Sequence, residues 1–310
     1  MRRIKKTGNE DIIKIFTELK NIYRILGDHF RFVAYSGVLR ELERFPIKLT
    51  LSNVMGMKNV GKKSLEKIQE IIKTGDLRII HSLRNHPKFK VYEYIHKIYG
   101  LGDISIKNMI IKYNIKTPTQ FDSLVKRKKI VLTKSQQIGY NNRKDLAKPI
   151  AYKDMIKIEK RLKKIFKRNI YIVGSYARKA PFSRDIDVLI VNDGHQNLTL
   201  DGIISKLEAN KNIRDQFSVG PKKARILYKS HLSYVHGMDI RIFTPIEFPT
   251  AKLYFTGPAF FNIKMRKRAQ EMGFLLNEYG LWKNGVRVKT PTEKSIFSKL
   301  GIAFIPIKNR

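Results

Sequence analysis

The sequence predicts an α+β multidomain protein, in which an all-helical N-terminal part is followed by a mixed β-sheet and a small α/β C-terminal subdomain. Residues 10 to about 145 repeat apolar side chains at helical spacing and carry almost no strand pattern. From residue 170 onward, β-branched and aromatic runs alternate with helical stretches. A chain of 310 residues can bury a sizeable core and divide into two or three domains.

Amphipathic helices are predicted at the start of each half. The segments "EDIIKIFTELKNIYRIL" and "FRFVAYSGVLRELERF" place apolar residues at i, i+3 and i+4, which is typical of helices that bury one face. "AYKDMIKIEKRLKKIF" is a further helix between the two halves, and Pro149 precedes its start.

Two turn-helix segments of the first half resemble each other. "MKNVGKKSLEKIQEII" and "IYGLGDISIKNMIIKY" both read apolar-Gly-apolar-Gly-polar before a helix. The second copy has both glycines, Gly100 and Gly102. In the first copy Asn59 takes the place of the first glycine, and Gly61 is the second. Asparagine tolerates a left-handed backbone better than most residues. Such turns bring backbone amides close to a phosphate, although a single copy would equally suit an ordinary helix-to-helix turn.

The second half contains several predicted strands and one predicted hairpin turn. "NIYIVG", "DIDVLIV", "ARILYKS" and "HGMDIRIF" are the strand candidates. "LWKNGVRV" predicts a tight hairpin, since Asn284-Gly285 suits a type I′ turn.

The charge balance predicts a polyanionic partner. Lys and Arg number 63 against 26 Asp and Glu, a formal net charge of +37, and nucleic acid is the first candidate. The basic clusters lie at residues 126–129, 163–168 and 264–268. The chain has no cysteine, which excludes disulfides and thiolate sites. No apolar run could span a bilayer and no basic amphipathic helix dominates, so we expect a soluble, intracellular protein.

Two aspartates stand at the start of a predicted buried strand. Asp185 and Asp187 share one face of that strand because side chains two apart point the same way. Carboxylates so close repel each other unless a cation lies beside them, and hard oxygen ligands favour Mg²⁺. Asp239 on "HGMDIRIF" offers a third carboxylate. Upstream, the Gly174-Ser175 turn begins a short helix whose amides suit a triphosphate.

These motifs resemble those of family X DNA polymerases, in the nucleotidyltransferase superfamily. The resemblance rests on Gly-Ser followed by Arg178, Ser183 and Asp185-Ile186-Asp187, and on "LYFTGPAFFNIKMRKRAQEMGFLLNEYGLW". It runs from about residue 10 to the end and is nearest to the DNA polymerase beta architecture. It implies a helical lyase-like (8 kDa-type) domain over residues 1–82, a helical DNA-binding subdomain over 83–147, a nucleotidyltransferase palm over 148–244 and a nucleotide-selecting subdomain over 245–310.

The resemblance also implies site residues and cofactors. Asp185, Asp187 and Asp239 would hold two Mg²⁺ ions, with Mn²⁺ as a substitute, and Asp239 would orient or deprotonate the primer 3′-hydroxyl. Incoming dNTP would be bound by Gly174, Ser175, Arg178, Ser183, Tyr254, Phe255, Gly257 and Asn262. DNA would be bound by Arg31, Tyr35, Gly61, Lys63, Gly100, Gly102 and Arg266. Arg241 would pair with Glu278 or Asp187 as the enzyme opens and closes.

A second activity is implied for the first domain. Lys67 aligns with the Schiff-base lysine of the family's 5′-deoxyribose-phosphate lyase, although any single lysine in so basic a chain is most often a solvated surface charge. The two turn-helix segments at Gly61 and Gly102 resemble helix-hairpin-helix elements, one in each helical domain, and a monovalent cation is implied at their turns. Gapped or nicked DNA and dNTPs are the implied partners of a monomer, with DNA ligase as a functional partner. The lysine-rich composition suggests an AT-rich genome such as that of a large DNA virus, so the expected location is the nucleus or a viral replication factory or virion.

The sequence is also compatible with two other functions, and it predicts one unusual peptide bond. A template-independent nucleotidyltransferase shares Gly-Ser and Asp-x-Asp, and a catalytically inactive DNA-binding scaffold shares the basic charge. The chain departs from the family at Gly237, where the family has an arginine. Pro258 predicts a cis Gly257-Pro258 peptide, since the trans preference before proline is only about 0.5–1 kcal/mol; alternatively, Pro258 simply begins the next helix.

Overall fold

The computed structural model describes residues 8–45, 47–166, 169–194 and 199–310. Their backbone forms two compact units, one over residues 2–132 and the other over residues 133–310. The predicted basic cluster over 163–168 reaches residues 167 and 168, which lie outside the described residues, as does the start of the domain predicted from residue 1. The four-part domain division stays a prediction.

The first unit is helical throughout its described part, residues 8–45 and 47–132, as predicted. Its helices are α1 Glu10–Leu26, α2 His29–Arg44, a 3₁₀ turn Val54–Gly56, α3 Lys62–Thr74, α4 Arg78–Asn85, α5 Pro87–His96, α6 Asp103–Lys112 and α7 Pro118–Lys126. The core between α1 and α2 contains Phe16, Leu19 and Leu42, all fully buried. No helix in the described parts of the chain is both long and apolar enough to cross a bilayer.

The two turn-helix segments have the same backbone form. Asn59 and Gly100 both have a positive φ, of 60° and 84°, so the left-handed conformation predicted for Asn59 is confirmed. Gly61 and Gly102 then precede α3 and α6 in extended conformation. The sequence repeat is therefore also a structural repeat.

The second unit is built on a five-stranded sheet. Its elements in chain order are α8 Lys134–Asn141, α9 Arg143–Leu146, β1 Ile150–Ala151, α10 Tyr152–Phe166, β2 Ile170–Ile172, α11 Gly174–Ala177, β3 Phe182–Ser183, β4 Ile186–Val191, α12 Leu200–Ala209, β5 Ile213–Val219, β6 Lys223–Lys229, β7 Val235–Phe243, α13 Phe248–Thr256, α14 Ala259–Glu271, β8 Leu275–Leu276, β9 Leu281–Lys283, β10 Val286–Arg287 and α15 Glu293–Lys299. The sheet order is β2-β4-β7-β6-β5. Only the β4–β7 pair in this sheet is parallel.

Side chains that alternate along β4 lie on opposite faces of the sheet and pack into different clusters. Ile186, Val188 and Ile190 join the apolar cluster formed with α10 and α12. Leu189 points the other way, into a small cluster with Phe243. Because Asp187 lies between Ile186 and Val188, its side chain belongs to this second face.

The C-terminal subdomain packs α13, α14 and α15 around a second apolar cluster that includes Phe261 and Phe297. Strands β9 and β10 form an antiparallel hairpin. Asn284 and Gly285 at its tip both have a positive φ, of 49° and 78°, which is the requirement of the predicted type I′ turn.

The prediction of a cis Gly257-Pro258 peptide is wrong. No cis peptide bond occurs among the described residues, which include this pair. Gly257 is extended, with φ −85° and ψ 144°, and Pro258 precedes the first turn of α14. Proline therefore serves here to begin a helix, which was the alternative reading of the sequence.

Candidate active site

Parallel pairing of β4 and β7 brings the three predicted aspartates to one place. Asp187 is the direct register partner of Asp239 across the two strands, so both carboxylates point from the same face. Asp185 lies immediately before β4 and two residues from Asp187. Its carboxylate shares a bridging partner with Asp239. The structure thus brings these three side chains together, and their role as metal ligands stays a prediction.

The bridging partner is Arg225 of β6, the register neighbour of Asp239. Its Nη1 lies 2.5 Å from Asp239 Oδ2 and its Nη2 lies 3.3 Å from Asp185 Oδ1. The Arg225 side chain is only 19% exposed. One guanidinium thus holds two of the three carboxylates.

Burial and mutual repulsion perturb the carboxylates. Burial, together with the charges of Asp239 and Asp185, raises the pKa of Asp187 to about 6, against the smaller lowering effects of Arg225 and Arg241. Burial likewise raises the pKa of Asp239, against the opposing effect of Arg225. Such an excess of negative charge in a partly desolvated place is what a bound cation would relieve.

Two glycines leave room for the carboxylates. A Cβ on Gly174, whose φ is +65°, would lie 2.1 Å from Asp187 Oδ2. A Cβ on Gly237 would lie 2.4 Å from Asp185 Oδ1 and 3.1 Å from Arg225 Nη2. Any side chain at either position would push the carboxylates out of place.

The chemistry of the donor set suits divalent metal ions, but the side chains are not arranged around one here. Across the residues that the structure describes, no three His, Cys, Asp or Glu side chains already form a metal-binding cluster. The reason is visible at Asp239, whose Oδ2 contacts Arg225. Three carboxylates on two adjacent strands supply hard oxygen ligands of the kind that Mg²⁺ prefers. Burial raises the pKa of Asp187 and of Asp239 despite the nearby guanidinium of Arg225.

The residues predicted to meet the nucleotide phosphates lie beside Asp187. Ser175 Oγ and Ser183 Oγ are 2.8 Å apart and hydrogen-bonded. Arg178 Nη1 donates to the carbonyl oxygens of Gly174 and Thr256, at 3.0 Å each. Arg178 therefore joins the Gly-Ser turn to the segment that contains Tyr254 and Phe255.

The residues predicted to meet the nucleotide sugar and base form a second group around the end of α13. The rings of Tyr254 and Phe255 pack edge to face at 4.8 Å. Asn262 Nδ2 donates to the Tyr254 carbonyl at 2.8 Å, and the guanidinium of Arg266 lies 4.9 Å from the Tyr254 ring centroid. Gly257 packs against α14, where an added Cβ would meet the next helix at 2.4 Å.

The predicted ion pairs of Arg241 do not occur in this conformation. Within the described residues, no salt bridge joins Arg241 to Glu278 or Asp187; its guanidinium lies 4.8 Å from the centroid of the Phe255 ring. Glu278 is half-buried. An exchange of partners on closing stays a prediction.

The residues predicted to bind DNA or a sugar phosphate in the first unit are also partly brought together. Arg31 pairs with Asp28 at 2.5 Å and lies over Tyr23. Tyr35 stacks on the same Tyr23 ring but is only 7% exposed, so it mainly supports this surface from within. On α3, Lys67 Nζ donates to the carbonyl oxygen one turn earlier, at 3.1 Å. That carbonyl belongs to Lys63, whose side chain is exposed.

Sequence reasoning missed two arginines. Arg225 lies within a predicted strand, yet its partners depend on the register between β6 and β7, which the sequence does not encode locally. Arg310, a fully buried side chain, ion-pairs with Glu293 at 2.8 Å and hydrogen-bonds to Thr256. For Arg225, the sequence offered one signal of a buried position: the arginine stands between Ala224 and the apolar run that begins at Ile226.

Three models of known protein domains match successive parts of the chain. A helix-hairpin-helix domain model matches residues 7–77, a nucleotidyltransferase domain model matches residues 155–256, and a DNA polymerase beta thumb model matches residues 251–310.

Whole-chain relatives are named as polymerases. The chain is 23% identical to DNA polymerase lambda of Arabidopsis thaliana, over 96% of this chain and 61% of that protein. It is 27% identical to DNA polymerase lambda of Rattus norvegicus, over 92% and 53%. It is 23% identical to the DNA polymerase/3'-5' exonuclease PolX of Bacillus subtilis (strain 168), over 96% and 54%. The chain thus spans between 53% and 61% of the length of these relatives. Three matched domains in succession, and relatives aligned to nearly all of the chain, support its assignment as a family X DNA polymerase.

Proposed function

We propose that this chain is a DNA-directed DNA polymerase that fills short gaps in DNA repair. The observation that carries the proposal is the register of β4 and β7, which places Asp187 directly opposite Asp239, with Asp185 two residues away. The matched domains and the names of the relatives support it.

The reaction would be nucleotidyl transfer. The primer 3′-oxygen attacks the α-phosphorus of a dNTP, the new P–O bond forms in line with the bond that breaks, and pyrophosphate leaves. Asp239 accepts the proton of the 3′-hydroxyl, and its raised pKa moves it toward the range of a general base. Phosphoryl transfer depends mainly on positioning and on charge neutralisation.

The carboxylates would hold two Mg²⁺ ions, with Mn²⁺ as a substitute. Asp185, Asp187 and Asp239 would supply the carboxylate ligands of these ions. When bound, the two ions would neutralise the developing charge on the attacking and leaving oxygens.

Binding of the nucleotide would fall to side chains already close to the carboxylates. The hydroxyl pair of Ser175 and Ser183 and the guanidinium of Arg178 would contact the β- and γ-phosphates. Tyr254 and Phe255 would line the sugar, and Asn262 would reach the minor-groove edge of the new base.

Nucleotide incorporation on a duplex with a one-nucleotide gap, with and without a 5′-phosphate at the gap, tests the proposal. Wild type should add one complementary nucleotide with Mg²⁺. Asp239→Ala should lose the chemical step while retaining DNA affinity within a few-fold in a binding assay. Asp201→Asn, which removes an exposed carboxylate from α12, is the matched control and should stay active. Full activity of Asp239→Ala would refute the assignment.

The same assay separates the rival functions. A template-independent nucleotidyltransferase would extend a single-stranded end as readily as a templated one. An inactive scaffold would bind the gapped duplex without extending it. We expect extension only where a template base is present.

We further propose a 5′-deoxyribose-phosphate lyase activity through Lys67. The Nζ of Lys67 would attack the C1′ aldehyde of the sugar and lose water to form an imine. Abstraction of a C2′ proton then expels the 3′-phosphate by β-elimination. The observation in favour is that Lys67 and Lys63 lie one turn apart on α3, immediately after the first glycine turn.

Borohydride reduction on an incised abasic duplex tests this second activity. Wild type and Lys73→Ala, a control from the last turn of α3, should both form a covalent adduct. Lys67→Ala should form none. The absence of an adduct with wild type would show that Lys67 is a solvated surface charge.

Further proposals concern partners and location. Gapped or nicked DNA and dNTPs are the substrates of a monomeric enzyme, and the nick it leaves requires sealing by a DNA ligase. The turns at Asn59–Gly61 and Gly100–Gly102 would approach DNA phosphates, with a monovalent cation bound at their carbonyl oxygens. We infer an intracellular location, in the nucleus or, for a viral protein, the replication factory or virion.

A further inference from the structure

We infer that Arg225 is a built-in counter-cation of the active site, which competes with a divalent metal ion for Asp239 and makes that metal site the weaker of the two. The inference rests on the proposed function, because it takes the three aspartates as the metal ligands. It assigns to Arg225 a positioning and regulatory task that neither the sequence pattern nor the matched domains indicate.

The position of Arg225 is built into the sheet. It faces Asp239 directly across the β6–β7 pair, so the strand register delivers its guanidinium to the carboxylates. The missing side chain at Gly237 provides the space, since a Cβ there would lie 3.1 Å from Arg225 Nη2. Shape and register together place this cation between Asp239 and Asp185.

The contacts of Arg225 are unequal among the three carboxylates. It lies 2.5 Å from Asp239 and 3.3 Å from Asp185. No hydrogen bond or ion pair joins it to Asp187 in the part of the chain that the structure describes. An ion held by Asp239 must therefore displace the guanidinium or share its oxygens, whereas an ion held mainly through Asp187 need not.

This asymmetry has a consequence for the order of metal loading. A guanidinium and a hard divalent ion seek the same carboxylate oxygens. With Arg225 in place, Asp187 would be open to an ion first, and Asp239 would become open to a second ion once Arg225 has moved. Arg225 also limits carboxylate repulsion while no metal is bound, so the metal-free protein stays folded.

Titration with Mn²⁺ alone, followed by the loss of the free-ion electron paramagnetic resonance signal, tests the inference without DNA or nucleotide. Wild type should bind one ion more tightly than a second. In Arg225→Gln the second ion should bind about tenfold more tightly, which corresponds to about 1.4 kcal/mol. Lys229→Gln removes one charge from the exposed far end of β6 and should match wild type. Arg225→Lys keeps the charge without the fork that spans two carboxylates and should fall between.

Thermal unfolding gives a second readout. In EDTA, Arg225→Gln should melt below wild type and Lys229→Gln, and Mn²⁺ should raise its Tm by more than it raises theirs. Equal or weaker Mn²⁺ binding by Arg225→Gln, with normal binding by wild type, would overturn the inference and leave the proposed function intact. If wild type bound no Mn²⁺ and Asp239→Ala stayed active, the proposed function itself would fail.

Discussion

Asp187→Asn should make the metal-free protein more stable while abolishing its activity. Burial and the neighbouring carboxylates raise the pKa of Asp187 to about 6, whereas an unfolded aspartate titrates near ~3.9. The folded protein therefore holds this proton more tightly than the unfolded chain does. Stability is lost as pH rises through the interval between these two pKa values, and above it the ionised carboxylate costs on the order of 3 kcal/mol.

Replacement by asparagine removes the charge and keeps the shape. Because the buried amide must still find hydrogen bonds, we expect a gain of about 2 kcal/mol at pH 7.5. For a unit the size of residues 133–310, that corresponds to a Tm increase of roughly 4–8 °C. The gain should shrink as pH falls from about 6 to about 4, because the folded wild-type carboxyl is then already protonated and the unfolded one is becoming so.

Thermal unfolding in EDTA at pH 7.5 and at pH 4 measures both effects. Asp201→Asn is the matched control, since it removes an exposed carboxylate in the first turn of α12 and should change stability by only a few tenths of a kcal/mol. Saturating Mg²⁺ should stabilise wild type more than Asp187→Asn. A variant no more stable than wild type at pH 7.5, or a gain that is independent of pH, would contradict the electrostatic account.

Three further outcomes are expected. Gly174→Ala should lower kcat by at least about 100-fold, because its Cβ would lie 2.1 Å from Asp187 Oδ2; near-normal turnover in a primer-extension assay would count against the site geometry. Arg310→Met should cost about 3 kcal/mol in urea unfolding, since it leaves Glu293 with Lys252 at 3.3 Å as its remaining ion-pair partner; an unchanged midpoint would show that the buried pair contributes nothing. DNA affinity should fall steeply with salt, at roughly 0.9 log units per phosphate neutralised for each log unit of salt, with little sequence preference; a tight, salt-insensitive complex would argue against backbone contacts.

Local sequence patterns were sufficient to predict most elements of the fold. Helical periodicity predicted α1, α2 and α10, and apolar alternation predicted β2, β4, β6 and β7, because these signals depend only on neighbours along the chain. The positive φ of Asn59 was predictable for the same reason, since backbone preference is a property of the residue itself. The state of the Gly257-Pro258 peptide was predicted wrongly, because the sequence offers only a small trans preference before proline, and the observed peptide follows that preference.

The sequence by itself determined which residues are predicted to carry the chemistry, and the tertiary structure decided how they are arranged. Asp185-x-Asp187 could be read directly, since spacing along one strand fixes a shared face. The partnership of Asp187 with Asp239 required the parallel pairing of β4 and β7, which brings together two residues 52 positions apart in the chain. The contact of Arg225 with Asp239 required the neighbouring register as well. Strand register depends on which faces of the paired strands are buried together. For strands far apart in the chain this is decided only when the sheet forms, which is why the cation among the carboxylates emerged only from the fold.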